Sequence, residues 1–315
     1  MVINVWLEIT MRCNLRCGFC YNQFQAGGND AFNALPSAEQ VEAVLAQLTS
    51  RFEIGILTLA GGEPTASGHL RAILRSARGK CKSLIIATNG TLIDDDLAPA
   101  LIADGVDTFQ ISLSGSSPAV HDAAVGLPGA FEKMLAGAIA IRSHNGRVVF
   151  VFIAGDDNCG ELLPILDMAY LIGVGAVIVN QVRSRRDQVV MLGDRIILDK
   201  KRRFFEMLVN AAQRAKGYEI PIIVPTFLPG PLESRLKQFN SVFYNYSERG
   251  IPQIIVDILG RVRLCQGGGE LKGGVADLTS EKISEWQGLR ENCACAVEQH
   301  RLEKLPVTLY DEQAR

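Results

Sequence analysis

Six short apolar runs recur along the first two-thirds of the sequence, and each is followed by a stretch with the period of an amphipathic helix. The predicted strands cover residues 3–9, 54–60, 83–88, 108–113, 147–153 and 176–180. The predicted helices cover residues 37–48, 69–76, 95–103, 131–143, 161–172 and 198–216. Repeated strand–helix units form parallel sheets, whose right-handed crossovers curl the sheet toward a barrel. The sequence therefore predicts an α/β fold, a partial (β/α)6 barrel of the TIM type.

The texture of the sequence changes after Lys216, because prolines crowd together and the strand–helix alternation stops. The elements predicted beyond that point are a β-hairpin over 254–258 and 261–265 and a short helix over 279–289. We therefore predict two domains, a barrel over residues 1–216 and a smaller C-terminal domain over residues 217–315.

Composition excludes several classes of protein. With 48% hydrophobic and 21% charged residues, the chain lies in the ordinary globular range. Its 32 basic and 34 acidic side chains give a net charge of −2, so no broad positive field exists to attract nucleic acid or anionic lipid. No apolar run is long enough to span a membrane, and the first residues lack the pattern of a signal peptide. We expect a cytoplasmic protein with neither nucleic acid nor membrane as a partner.

The eight cysteines are clustered rather than evenly spread. Three lie near the start, at Cys13, Cys17 and Cys20, and three near the end, at Cys265, Cys293 and Cys295, which leaves Cys81 and Cys159 alone. In a reducing compartment, clustered cysteines indicate metal binding before they indicate disulfides.

The first cluster of cysteines directly follows the first predicted strand. The spacing from Cys13 to Cys17 to Cys20 lets one loop wrap three thiolates around three irons of a cubane, which leaves the fourth iron open. Structural zinc would need a fourth Cys or His close by, and none of the four histidines lies within the run. We therefore favour an iron–sulfur cluster over zinc and over a coincidence of buried cysteines.

The run of three cysteines resembles the defining motif of the radical S-adenosylmethionine (SAM) superfamily, and the six strand–helix units resemble its partial barrel. The resemblance implies that Cys13, Cys17 and Cys20 ligate a [4Fe-4S] cluster whose open iron is chelated by SAM. An electron from the cluster would then cleave SAM to methionine and a 5′-deoxyadenosyl radical. Phe19 matches the position that packs beside the cluster and the adenine.

A second motif follows the second predicted strand and resembles the GGEP motif of the same superfamily. It consists of Gly61, Gly62, Glu63 and Pro64. Glycines let the backbone approach a ligand, and carbonyl groups and Glu63 could accept hydrogen bonds from the ammonium group of SAM. By the same resemblance, small polar residues at later strand ends would contact SAM, namely Thr88, Asn89, Ser112, Ser114 and Asn180. For each of these, a capped strand end is an equal alternative.

The C-terminal cysteines resemble the auxiliary-cluster domains called SPASM and twitch. Cys265 ends the predicted hairpin, and Cys293 and Cys295 follow the predicted helix. The full SPASM pattern carries enough cysteines for two clusters, whereas the three thiols here allow one auxiliary iron–sulfur cluster at most. Zinc and plain thiols are the alternatives.

Three further side chains have a functional and a structural interpretation. Cys159 could be a fourth ligand or a hydrogen-atom donor to a substrate radical, although a small buried hydrophobic residue is the favoured interpretation. His121 could carry a proton but is more simply structural. Cys81 lies at the opposite end of the predicted barrel and is expected to be structural.

The resemblance implies a radical SAM enzyme whose 5′-deoxyadenosyl radical abstracts hydrogen from a substrate. We favour a ribosomally synthesised peptide, and cleavage, cross-linking, epimerisation and oxidation all remain open. The alternatives are a small metabolite such as an aminocyclitol or sugar, or a non-catalytic iron–sulfur or zinc protein. Nothing before the first strand could hold a leader-peptide recognition domain, so either a separate recognition protein is needed or the substrate is small. The electron would come from a reductase or flavodoxin-type donor.

Overall fold

The computed structural model describes residues 1–20, 37–155, 157–181, 194–224, 236, 239, 242–244, 251–257, 259–264 and 272–289. Its strands are β1 (Val2–Thr10), β2 (Glu53–Gly61), β3 (Cys81–Thr88), β4 (Thr108–Leu113), β5 (Val148–Ala154), β6 (Val177–Gln181), β7 (Ile222–Val224), β8 (Val242–Tyr244), β9 (Gln253–Val256) and β10 (Val262–Arg263). Its helices are α1 (Ala38–Thr49), α2 (Leu70–Ala77), α3 (Leu97–Ala103), α4 (Pro118–Val125), α5 (Ala130–Ser143), α6 (Leu162–Ile172), α7 (Asp194–Tyr218) and α8 (Ser280–Leu289).

All ten strands form one sheet in the order β10-β9-β1-β2-β3-β4-β5-β6-β7-β8. From β1 to β8, each strand pairs in parallel with the next, and helices connect the first six of them. This arrangement confirms the predicted α/β partial barrel, and each of the six predicted strands lies within two residues of an observed one. Helix α4 was not predicted.

The prediction that the strand–helix alternation stops after Lys216 missed two further parallel strands. Strand β7 pairs in parallel with β6, and β8 pairs in parallel with β7. Pro221 precedes β7 and still contributes to the ladder, because its carbonyl accepts a hydrogen bond of 3.0 Å from the amide of Val177. Strands of three residues are too short to produce a recognisable run in the sequence. The division into two domains at residue 216 stays a prediction.

The predicted hairpin is present, although its strands are shorter than expected. β9 and β10 are antiparallel, and Gly260 takes a φ of +71° in the turn between them. The carboxylate of Asp257 accepts hydrogen bonds from the amides of Leu259 and Arg261, at 2.9 and 3.0 Å, which stabilises the turn. β9 also pairs in parallel with β1, so the hairpin extends the barrel sheet on the free side of β1.

Alternation along the strands separates two faces of the sheet. In β1, the side chains of Ile3, Val5, Leu7 and Ile9 belong to the main hydrophobic core, which also includes residues of the surrounding helices such as Leu45. The intervening residues of β1 are Asn4, Trp6, Glu8 and Thr10. They point to the opposite side of the sheet, which we call the inner face. Polar groups are therefore concentrated on the inner face, away from the layer of helices.

Helix α8 packs onto the same core. Thr279 caps α8, because its hydroxyl accepts a hydrogen bond of 3.2 Å from the amide of Lys282. Ile283 and Trp286 of this helix are buried in the core. Within the described ranges, no single helix is long and apolar enough to cross a membrane, and α4 with α5 meets that length and composition only as a pair bent by 103°.

Ile254 tests whether β9 belongs to the cooperative unit of the barrel. This residue is 0% exposed and pairs with Val5 of β1. We expect Ile254→Ala to lower the free energy of unfolding by about 2–4 kcal/mol, because the deletion leaves a cavity in the shared core. Urea denaturation followed by circular dichroism measures the change.

Leu259→Ala in the same hairpin is the matched control. Leu259 is 64% exposed, so its truncation should change the free energy of unfolding by no more than about 0.5 kcal/mol. An unchanged urea midpoint for Ile254→Ala would mean that β9 unfolds independently of the barrel.

Candidate metal and cofactor site

The cysteine loop directly follows β1 and wraps around its own apolar residue. Cys13, Cys17 and Cys20 are all half-buried. Leu15, between the first two cysteines, is buried in a small cluster with Val125 and packs beside both thiols. The amide of Cys20 donates a hydrogen bond of 3.2 Å to the carbonyl of Cys17, which closes the turn. Phe19 packs against the same apolar residues, and its predicted place beside the iron–sulfur cluster and the adenine stays a prediction.

Helix α4 fixes the conformation of the cysteine loop. The amides of Arg16 and Gly18 donate hydrogen bonds to the carbonyls of Val125 and Ala124, at 3.0 and 3.3 Å. Gly126 ends the helix with a φ of +70°, and a Cβ atom there would lie 3.1 Å from the carbonyl oxygen of Arg16. The helix that sequence reasoning missed is therefore the support on which the loop rests.

The electrostatic environment of the thiols suits a bound cation. Burial raises the pKa of Cys13, and burial with the neighbouring thiols Cys20 and Cys13 raises the pKa of Cys17 to about 12. Free thiols would stay protonated here, so thiolates need the positive charge of a metal. In the ranges that the structure covers, no group of three or more Cys, His, Asp or Glu side chains could together hold one metal ion. Three half-buried thiols on one loop, each able to bind a different iron, fit a cubane cluster.

The two glycines of the second motif contact the cysteine loop through its backbone. A Cβ atom on Gly61 would lie 2.1 Å from the carbonyl oxygen of Thr10, and one on Gly62 would lie 2.1 Å from that of Arg12. The amides of Gly62 and Glu63 donate hydrogen bonds of 2.7 Å to those same two carbonyls. Sequence reasoning attributed the glycines to the approach of a ligand. In the structure, their close contacts are with the chain that leads into Cys13.

The carboxylate of Glu63 is buried and already accepts hydrogen bonds from neighbouring residues. Its Oε1 atom accepts hydrogen bonds from the amide of Thr65 (3.0 Å) and from the hydroxyls of Thr65 and Thr88 (2.6 Å each). Its Oε2 atom accepts one from the amide of Asn89 at 2.7 Å. Burial raises the pKa of this carboxyl, and the four donors oppose that rise. Pro64 is also buried, at the start of a single 3-10 turn. Contact of Glu63 with SAM stays a prediction.

Asn89 connects the end of β3 to the cysteine loop. Its Nδ2 atom donates to Oδ1 of Asn14 at 2.9 Å and to Sγ of Cys13 at 3.9 Å. Nδ2 of Asn14 donates to the hydroxyl of Thr91 at 2.8 Å, and that hydroxyl donates to Oδ1 of Asn89 at 2.7 Å. Sequence reasoning missed Asn14 and Thr91. Their only sequence signal is their position, one within the cysteine motif and one two residues after Asn89.

The remaining predicted cofactor residues lie further along the sheet. Ser112 in β4 and Asn180 in β6 are half-buried and alternate with core residues, so they lie on the inner face. Ser114 is buried just beyond β4, and its amide donates to Nδ1 of His121 at 3.2 Å. The hydroxyl of Ser114 is buried and has no hydrogen-bond partner among the described residues. The cofactor-binding roles of these three residues stay predictions.

The other singled-out side chains have local contacts in the structure, and their functional roles stay predictions. His121 lies on α4, is 1% exposed and packs edge-on against Phe131, and burial lowers its pKa. The thiol of Cys159 donates to the carbonyl of Gly155 at 2.9 Å in a 3-10 turn after β5. Cys81 begins β3, at the end opposite the cysteine loop. The proposed auxiliary ligands Cys265, Cys293 and Cys295 lie outside the described residues.

Two curated proteins share part of the sequence. Fe-coproporphyrin III synthase from Methanosarcina barkeri is 32% identical over 164 residues, which are 52% of this chain and 40% of that protein. PqqA peptide cyclase from Gluconobacter oxydans is 28% identical over 216 residues, which are 67% of this chain and 57% of that protein. The matched segment thus spans less than two-thirds of either relative.

A solved structure has the same fold over most of the chain. SuiB of Streptococcus suis, bound to precursor peptide SuiA, matches with a TM-score of 0.66 at 15% identity, over 90% of this chain and 64% of that chain. Residues 7–161 match the model of the Radical SAM superfamily, a segment that contains the cysteine loop, the glycine turn and Asn89. The network around Cys13 therefore lies within the matched segment, and the chain contains a domain of the Radical SAM superfamily over residues 7–161.

Proposed function

We propose that the chain is a radical SAM enzyme that modifies a peptide, with Cys13, Cys17 and Cys20 holding a [4Fe-4S] cluster and SAM bound at the open iron. The observation that carries this proposal is the three-thiol loop, held on one side by α4 and on the other by residues 61–63. When bound, the cluster and SAM would supply the 5′-deoxyadenosyl radical that removes a hydrogen atom from the substrate.

The contribution of the protein is to position and enclose these groups. Glu63 and Asn89 hold the end of β3 beside the cysteine loop through hydrogen bonds of 2.7 Å and 2.9 Å. Ser112 and Asn180 present polar groups on the inner face, where SAM would be bound along the strand ends. The apolar side chains of Leu15, Val125 and Ala130 cover one side of the thiols and limit the access of water to them.

Support for a peptide substrate comes from two of the similar proteins. One relative is named as a peptide cyclase, PqqA peptide cyclase, and the matching SuiB structure is bound to a precursor peptide. A second candidate substrate is an iron tetrapyrrole, because Fe-coproporphyrin III synthase is 32% identical to this chain over 164 residues.

The C-terminal cysteines complete the proposal. We propose that Cys265, Cys293 and Cys295 hold one auxiliary cluster in the region after residue 216, and that a separate recognition protein presents the leader of the peptide. An external reductase or flavodoxin-type protein would supply the electron.

Cys17→Ala tests the cluster and the reaction together. We expect the anoxically reconstituted variant to lose the iron of this cluster, and to form no 5′-deoxyadenosine from SAM when reduced, because one iron loses its thiolate. Iron analysis and chromatography of the products measure both effects. Cys81→Ala is the control, since Cys81 lies at the far end of β3 and should leave both readouts unchanged.

Three outcomes would contradict this assignment. Wild-type protein that carries a cluster but never cleaves SAM would be an iron–sulfur carrier. Colourless protein with stoichiometric zinc would be a zinc protein. Full iron content and SAM cleavage in Cys17→Ala would mean that the cysteine loop does not hold the cluster.

Gly62→Ala tests whether the glycine turn holds the cysteine loop. The added methyl group would collide with the carbonyl oxygen of Arg12, so the loop must move although all three cysteines remain. We expect iron affinity to fall by about tenfold or more, as for lost supporting contacts at other metal sites. Gly68→Ala is the matched control, because no atom of the described residues lies within 4 Å of a Cβ atom there. Equal iron retention in both variants would contradict the role of Gly62.

The double variant Cys293→Ala, Cys295→Ala tests the auxiliary site. We expect iron content to fall by about half, since one of two clusters would lose its ligands while the cysteine loop stays intact. SAM cleavage in the absence of substrate should persist. An unchanged iron content would reject the second cluster.

A further inference from the structure

The inner face carries an unusual group of polar side chains where β1 meets the C-terminal hairpin. Trp6 of β1 is paired with Ile255 of β9, and Ile255 is paired with Arg263 of β10. Residues paired across neighbouring strands point to the same face. Trp6 and Arg263 are therefore on one face and two strand spacings apart, about 10 Å between Cα atoms. Glu8 lies on this face as well, two residues further along β1.

The charges in this region are already balanced within the chain. Glu8 is 3% exposed and forms an ion pair with Nη2 of Arg263, whose side chain is 12% exposed. In the same hairpin, Nε of Arg261 is 2.7 Å from Oδ2 of Asp257. Two guanidinium groups therefore face two carboxylates, and the group has no net charge to attract an ion.

Among the residues that the structure describes, two hydrogen-bond donors in this group have no acceptor. They are the Nε atom of Arg263 and the Nε1 atom of Trp6, and both are buried. Folded proteins rarely leave buried N–H groups unpaired, because the lost hydration is not replaced. Both groups are donors only, so the missing partner must be an acceptor.

We propose that Trp6 and Arg263 form a donor subsite on the inner face that binds an amide carbonyl of the substrate. This inference rests on the proposed function, in which the substrate is a peptide. An amide carbonyl accepts from both donors and brings no charge. A carboxylate would add a negative charge beside Glu8 and Asp257. The two described guanidinium groups, those of Arg261 and Arg263, are already paired with these carboxylates, so the added charge would be costly in a buried place. The subsite therefore discriminates a peptide backbone from a ligand that is recognised by its carboxylates.

The indole N–H of Trp6 reports directly on occupation of the subsite. The chain contains two tryptophans, so protein labelled with 15N gives two indole signals, which Trp286→Phe assigns. The probes are N-methylacetamide, which carries a neutral amide carbonyl, and sodium acetate at equal concentration. We expect N-methylacetamide to move the Trp6 signal in a saturable way, while acetate does not and the Trp286 signal stays in place. A larger shift with acetate, equal shifts with both probes or no shift with either would overturn the proposal.

Arg263→Lys tests whether the two donors act on one ligand. Lysine can keep the ion pair with Glu8 but lacks the Nε–H group, so the dissociation constant of N-methylacetamide should rise about three- to tenfold. Arg261→Lys is the matched control, because Nε of Arg261 already has its acceptor in Asp257. An unchanged constant in Arg263→Lys would overturn a shared subsite. Thermal melting checks that each variant is folded, and if Arg263→Lys is not, the two-probe titration of wild-type protein decides.

Failure of this proposal can be distinguished from failure of the proposed function. Reductive cleavage of SAM by wild-type protein without any substrate tests the radical chemistry alone. The titration of the Trp6 signal tests the subsite alone, because it requires neither SAM nor an electron donor.

Discussion

The contact on which the site depends is the backbone pairing of Gly61 and Gly62 with the end of β1. Two carbonyl groups, those of Thr10 and Arg12, are so close to these glycines that no larger residue fits. The pairing continues the β1–β2 ladder beyond the regular strands and sets the direction in which the chain leaves β1. Because Cys13 follows at once, the direction in which the cysteine loop begins depends on two residues that carry no side chain.

A buried carboxylate extends this constraint to the third strand. Glu63 accepts four hydrogen bonds, and those from Thr88 and Asn89 tie the end of β3 to the glycine turn. Asn89 then reaches Asn14 inside the cysteine motif. The ends of three neighbouring strands are thus joined by one polar network, and a loop without regular secondary structure is held by contacts at both of its sides. Such support is what a cluster with one open iron requires of its protein.

Sequence reasoning located the six barrel strands and the three cysteines, because buried parallel strands are dense apolar runs and the cysteine spacing has few other interpretations. It missed elements that are short and contacts between residues that are far apart in the sequence. β7 and β8 have three residues each, and α4 is made of small residues without a clear apolar stripe. The bonds that join Asn14 to Thr91 link positions 77 residues apart, which no local pattern can reveal. Gly61 and Gly62 were identified, but the group that they approach is visible only in three dimensions.

The parallel pairing of β1 with β9 has a consequence for biosynthesis. Asn4 and its partner Gln253 are separated by 249 residues (253 minus 4), so one side of the first strand stays open while most of the chain is made. At about 5–20 residues per second, that interval is roughly 12 to 50 seconds. During this interval β9 is not yet made, so the edge of β1 that it will cover is unpaired. The three thiols that follow β1 have already been synthesised. The synthesis of β9 therefore decides when the open side of β1 is shielded from other chains.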